Sequence, residues 1–185
     1  MTVIVGVFGK ESWDNMFSVG ELVVYGGEGV CRVTAVGESS IPGTDKEKLY
    51  YTLTPVYHTG HVLTPVDTKV LIRPVMTRQE AELLVEELPA LEPEGSIGGP
   101  RATKEHYQEI VSSYDCREVA RLILTTTVKR SRAIRRGKKP SQMDERYLKR
   151  AEEEFYGELA AALEVDRDDA EVYVHAHCPQ WPVSM

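Results

Sequence analysis

The hydrophobic period of this chain changes once, from two residues to about 3.6, and a stretch built to break regular structure stands near the change. Leu91 to Pro100 holds two Pro and three Gly. Neither helix nor strand crosses such a stretch, because Pro removes a backbone donor and Gly has the most conformational freedom to lose. It is read as the boundary between two domains or a hinge close to it. The order, strands first and helices after, predicts an α+β chain in which the two kinds of element are segregated.

Before the linker, Val19 to Tyr25, Val30 to Val36, Leu49 to Val56, Val62 to Val66 and Val70 to Arg73 are short runs rich in Val, Tyr, Leu and Thr. Turn-forming stretches at Gly26 to Gly29, Ile41 to Asp45 and His58 to His61 separate them. So small a sheet hides its edges by twisting and curling, which predicts an SH3-like or Tudor-like β half-barrel. At Thr77 and Glu80 hydroxyl and carboxylate stand at capping-box spacing, opening a helix with Ala81, Leu84, Val85 and Leu88 on one face. Beyond the linker the pattern stays helical. Tyr107, Ile110, Val111 and Tyr114 line one helix, and Asp115 with Glu118 caps the next, whose Val119, Leu122 and Ile123 face a core. Gly137 ends it. Ser141 caps a third, carrying Tyr147, Leu148, Ala151, Phe155, Leu159 and Leu163, and Asp166 or Asp168 opens a fourth with Val172 and Tyr173.

Charge is distributed as unevenly as structure. The net charge of -7 excludes a uniformly basic nucleic-acid coat, yet Lys129 to Arg150 gathers Lys129, Arg130, Arg132, Arg135, Arg136, Lys138, Lys139, Arg146, Lys149 and Arg150 against only Asp144 and Glu145. Acidic segments flank this block and repel a polyanion, leaving it one place to dock. A cationic helix end also complements the helix dipole, which accounts for two or three of these residues and not for all. The block therefore points to phosphate contacts without base reading.

Enzymatic signals are thin. No Gly-rich loop opens a helix, and GxSxG and HExxH are absent. Cys31, Cys116 and Cys178 are widely spaced and odd in number, which suggests neither a disulfide framework nor a metal site. His58 with His61, and His175 with His177 and Cys178, are the only candidate metal clusters. The second pair is read as part of a mobile tail. No apolar run approaches the roughly 20 residues of a membrane helix, and Val3 to Phe8 lacks the marks of a signal peptide. The expectation is a cytoplasmic, non-enzymatic protein without cofactor, metal or membrane association, and monomeric.

The run Met16-Phe17-Ser18-Val19-Gly20-Glu21-Leu22-Val23-Val24-Tyr25-Gly26-Gly27-Glu28-Gly29-Val30 resembles the opening of the bacterial CarD-like transcription regulators. The likeness continues through Leu49 to Leu53, Thr64 to Asp67, Asp115 to Ala120 and Ala151 to Leu163. It implies residues 1–15 as an extension, 16–75 as a Tudor-like domain binding the RNA polymerase β subunit, and 76–100 as helix and linker. Residues 101–176 are then a helical domain facing promoter DNA, and 177–185 a tail. The polymerase contact maps to the strand edge at Val62, Leu63 and Thr64.

Two departures accompany the resemblance. Arginines that relatives offer to polymerase align with Ser39 and Leu63, and the Trp that relatives wedge into the minor groove aligns with Thr103. DNA contact then rests on the basic block together with Arg101 and Lys104. The leading expectation is a regulator that bridges polymerase and promoter to modulate the open complex. Its alternative is a polymerase-binding or other protein-interaction module that ignores DNA, and a metal enzyme built on the histidines ranks last. The apolar Val3, Ile4, Val5, Val7 and Phe8 of the extension are a candidate additional strand.

Overall fold

A computed structural model describes residues 17–39 and 41–182 of the chain; Met16 and the 1–15 extension, with Trp13, lie outside the described residues. Five strands come first, β1 (Leu22–Tyr25), β2 (Gly29–Glu38), β3 (Leu49–Pro55), β4 (Val62–Pro65) and β5 (Ile72–Pro74). They form one antiparallel sheet in the order β4-β3-β2-β1-β5. The long β2 pairs with β1 over Gly29–Arg32 on one side and with β3 over Cys31–Glu38 on the other, with a bulge between Val33 and Ala35 in the β3 ladder. Val23, Tyr25, Cys31, Val33, Tyr51 and Leu53 fill the concave face. This is the expected small β half-barrel.

The helical half has its own core. It comprises α1 (Arg78–Glu87), a 3-10 turn (Leu88–Ala90), α2 (Pro100–Ser113), α3 (Cys116–Arg135), α4 (Gln142–Leu163) and α5 (Arg167–His177). The starts follow the sequence signals. Thr77 and Glu80 form a complete capping box, Asp115 accepts from the Arg117 and Glu118 amides, and Ser141 accepts from Asp144. Pro100 occupies the first turn of α2, where its missing donor costs nothing.

Three expectations need correction. Ala81, Val85 and Leu88 are buried with the helical core, so α1 belongs to it, and the change of domain precedes the linker. The linker is not a free hinge either: Leu91 and Ile97 pack on that core, the Glu94 amide donates to Thr125 Oγ1 at 2.9 Å, and Glu94 Oε2 lies 2.9 Å from His106 Nε2. At the C-terminal end, His175 and His177 complete α5, while Cys178 and Trp181 are buried. Trp181 stacks at 5.7 Å from the Phe155 ring and donates to the Tyr156 hydroxyl at 3.1 Å. The stretch read as tail thus closes the core, held by an aromatic that local propensity does not register. On α5 the inward residues are Ala170 and Val174, and Val172 is exposed.

What joins the halves is polar. Arg73 at the end of β5 grips Glu158 of α4 with both guanidinium nitrogens, at 2.5 and 2.7 Å. The same carboxylate accepts the Met76 amide at 3.1 Å and the Cys116 thiol at 3.0 Å. Arg73 also donates to the carbonyl of Tyr114 at 2.5 Å, a residue in left-handed backbone (φ 52) between α2 and α3. The Tyr114 hydroxyl in turn accepts the Gly27 amide of the β1–β2 turn at 2.5 Å. On the other side, Tyr57 donates to the Gly157 carbonyl at 2.9 Å, and a Cβ at Gly157 would lie 3.2 Å from the Tyr57 ring. Burial and the adjacent Glu158 carboxylate push the Cys116 thiol well up, so it stays a donor.

Glu158 is almost wholly buried and Arg73 about one third exposed, so removing the acid strands a guanidinium in a half-dry junction. Glu158→Ala is expected to lower unfolding free energy by about 3 kcal/mol, and Glu158→Gln by less, as read by chemical denaturation followed by circular dichroism.

Candidate functional site

Two surfaces with binding potential stand out, one on the sheet and one on the helical half. The first is the outer edge of β4. The amide of Val66 bonds the carbonyl of Leu49 across β3 at 2.9 Å. By antiparallel alternation Thr64 and Val62 therefore point their backbone at β3, opposite Tyr51 and Leu53. Leu63 N–H, Leu63 C=O and Pro65 C=O face away from the sheet, and no further strand lies beside them among the described residues. Of the three residues expected at this edge, Val62 and Leu63 are partly exposed. Thr64 turns its side chain inward, where its hydroxyl meets that of buried Tyr25 at 3.1 Å. The edge thus offers backbone at Leu63 and side-chain surface at Val62 and Leu63.

The second surface is the C-terminal end of α3 and the loop after it. Arg132, Arg135, Arg136, Lys138 and Lys139 are exposed there and make no ion pair with any described residue. Ile134 stands among them, 56% exposed. The remaining cations of the block are more committed. Lys129 donates to the Tyr107 hydroxyl at 2.7 Å and lies over that ring. Arg130 borders a groove with Glu145, Lys149, Glu152 and Glu153. Arg146 covers the ring of Tyr147 at 5.4 Å, Lys149 lies 4.0 Å from Glu153, and Arg150 bonds Glu154 at 3.0 Å. Such i,i+4 pairs at a solvated surface are weak and yield to a polyanion, so Arg146 and Lys149, in the first half of α4, can extend the patch. Lys129 cannot without abandoning Tyr107.

Around the aligned wedge position, Arg101 pairs with Glu105 at 2.9 Å on the solvent face of α2, and Lys104 is exposed beside it. Thr103 between them is buried, its hydroxyl donating to the Gly99 carbonyl at 3.2 Å. The bond returns the hydroxyl to the carbonyl one turn back, and Thr103 projects nothing outward. The histidines do not assemble a site: His61 bonds Thr54 at 2.9 Å, and no group of three His, Cys, Asp or Glu among the described residues is placed to hold a metal. No helix among them is long and apolar enough to cross a membrane.

Where the sheet meets the helices lies a cleft of about 190 Å³, bordered by the β1–β2 turn, Tyr57, Tyr114, Arg150 and Glu154. Sequence reasoning missed this junction, though one sign of it was legible: Glu158 lies on the face of α4 that is otherwise apolar, between Phe155 and Leu159. Glu154 on the same helix is pushed up to about 7 by burial, with Glu153 and Glu158 adding to the rise and the Arg150 pair opposing it. Its Oε2 has no hydrogen-bond partner among the described residues, which suits a carboxyl that holds its proton.

Compared with known proteins, residues 17–76 match the family model described as the CarD-like/TRCF RID domain. No curated protein sequence matches the chain.

A carboxyl whose pKa is raised in the fold favours the protonated state there, so its stabilising contribution is complete below about 4.5 and is lost as pH rises through about 7. The melting temperature is therefore expected to fall across that window, and Glu154→Gln to flatten the fall, as measured by calorimetry from pH 4.5 to 8.

Proposed function

We propose, on the match of residues 17–76 to the CarD-like/TRCF RID domain model, that this chain is a non-enzymatic transcription regulator bridging the polymerase β subunit and promoter DNA. Under this reading the domain, bounded at 16–75, docks through the β4 edge at Leu63 and Val62 by adding a strand of the polymerase to the sheet. The helical part, 101–176, lies along the duplex and meets its phosphates with Arg132, Arg135, Arg136, Lys138 and Lys139, supported by Arg130, Arg146 and Lys149 and by Arg101 and Lys104. The observation that supports the proposal is the outward backbone of Leu63, unpaired among the described residues, on a domain that matches this family, in a chain that also carries a cationic helix end.

The mechanism is linkage and needs no covalent step. A body that touches polymerase and DNA together gains most in whichever complex brings both within reach, and shifts the equilibrium toward it by its differential affinity. The second contact is intramolecular once the first is made, so weak phosphate contacts suffice. If the open complex satisfies both contacts best, the chain slows its collapse. The setting is the cytoplasm, where bacterial polymerase meets its promoters.

A second reading has its own support. Thr103 is buried where relatives are expected to present a Trp, and net charge is -7, so the chain can serve as a polymerase-binding module without DNA contact. Salt separates the two. On the bridging reading, the log of duplex affinity falls linearly with log salt, and the triple variant Arg132→Gln, Arg135→Gln, Arg136→Gln reduces the slope by about 2 to 3, measured by fluorescence anisotropy. A duplex affinity too weak to measure, or one indifferent to both salt and variant, leaves the protein-only reading. Failure of the full chain to bind polymerase β-lobe protein at ~100 μM removes both.

A further inference from the structure

The last turn of α3 carries one side chain that phosphate contact does not use. Ile134 is 56% exposed, in a stretch where Arg132, Arg135, Arg136, Lys138 and Lys139 are exposed as well. The inward stripe of the helix ends before it: Val119, Ile123 and Thr126 are buried, whereas Ile134 to Lys139 are exposed. Ile134 therefore does not complete the helical core. Leu83, Val165 and Val172 are also exposed apolar side chains, but each has an acidic neighbour in the chain, where Ile134 has Arg135.

A helix end is ordinarily a poor place to meet phosphate, because its last carbonyls are free and its dipole is negative there. This end is closed. The amides of Arg136 and Lys138 both donate to the Ala133 carbonyl, at 3.1 and 2.9 Å, and the Gly137 amide donates to the Ile134 carbonyl at 2.9 Å. Gly137 makes the turn possible by taking left-handed backbone (φ 67). Two carbonyls that would repel a phosphate are thus bonded inward. Gly137 also brings no side chain to cover Ile134, and a Cβ there would meet nothing within 4 Å. Successive residues step about 100° round a helix, so Arg132 and Arg135 stand on other sides of the tip, while Arg130 shares the row of Ile134 one turn earlier.

A branched apolar side chain ringed by cations fits a surface with anionic rims and an apolar interior. A duplex groove is such a surface, with phosphates along both rims and sugars, base edges and thymine methyls between them. A lipid headgroup layer asks instead for a stripe of apolar residues along a helix, whereas this tip has a single large one. We propose that Ile134 is the apolar contact of the DNA-facing surface, entering a duplex groove while the surrounding cations meet the phosphates on its rims. The inference rests on the bridging reading given above, and adds to it a component of affinity that salt does not screen.

The test is duplex affinity by fluorescence anisotropy across a salt series, for the full chain and for Ile134→Ala and Leu83→Ala. Both positions are exposed, and circular dichroism checks that each variant is folded. Counterion release is set by the cations. Plots of log affinity against log salt for the unaltered chain and Ile134→Ala are therefore expected to be parallel, the variant lying lower by about fivefold for a half-exposed side chain. Leu83→Ala is expected to coincide with the unaltered chain. Coincidence of Ile134→Ala with the unaltered chain, or an equal loss in Leu83→Ala, overturns the inference and leaves the bridging reading standing. A changed slope for Ile134→Ala also overturns it, since the side chain would then act through the charges around it. Duplex binding too weak to measure in every form removes the inference and the bridging reading together. Vesicles of phosphatidylcholine and phosphatidylserine form the last arm: binding that falls with Ile134→Ala there, but not on duplex, overturns the inference and assigns the tip to a membrane surface.

Discussion

The carboxylate of Glu158 is the most heavily bonded point of the joint between sheet and helices. It is held by two guanidinium nitrogens, a backbone amide and a thiol, so its lone pairs are taken and its charge is balanced. A buried carboxylate left short of partners would open the joint between sheet and helices, because the cost of an unpaired buried ion exceeds any single contact there. With all donors in place, the joint tolerates only one arrangement. Apolar surfaces can slide over one another at small cost, whereas a bidentate pair supported by a peptide amide and a thiol cannot.

That rigidity matters to a protein proposed to hold two macromolecules. The strand edge and the cationic end of α3 project from separate cores, and a flexible joint would spread the second contact over many positions and dilute it. Here the linker that looked like a hinge is pinned by Glu94, Leu91 and Ile97, and α1 is absorbed into the helical core. The distance between the two surfaces is then a property of the fold. On the bridging reading, polymerase and duplex would be engaged together only where their own spacing matches it.

Much of this architecture was legible in the sequence because it depends on local signals. Period-two runs located the strands, and Thr77, Asp115 and Ser141 marked helix starts, since a cap acts within three or four residues. Clustered cations located the patch for a similar reason. What stayed hidden depends on pairs far apart in the chain. Arg73 and Glu158 are individually unremarkable charges until the fold brings them together, and Trp181 looks like part of a tail until Phe155 and Tyr156 are placed beneath it. Lys129 counted equally with its neighbours in a charge tally, although its orientation toward Tyr107 gives it a structural task. Thr103 shows the opposite case: the missing aromatic was visible, but its inward hydroxyl bond to Gly99 required the helix start to be built.

Pro65 has one more consequence. At the outer edge of β4 it can accept a hydrogen bond but has none to give, so this border donates through Leu63 alone over the length of the paired segment. An arriving strand can be held briefly and in one register, while a long ladder of identical edges, of the kind that seeds fibrils, cannot propagate along it. The same residue that would keep a docked strand short also limits edge-to-edge pairing between copies.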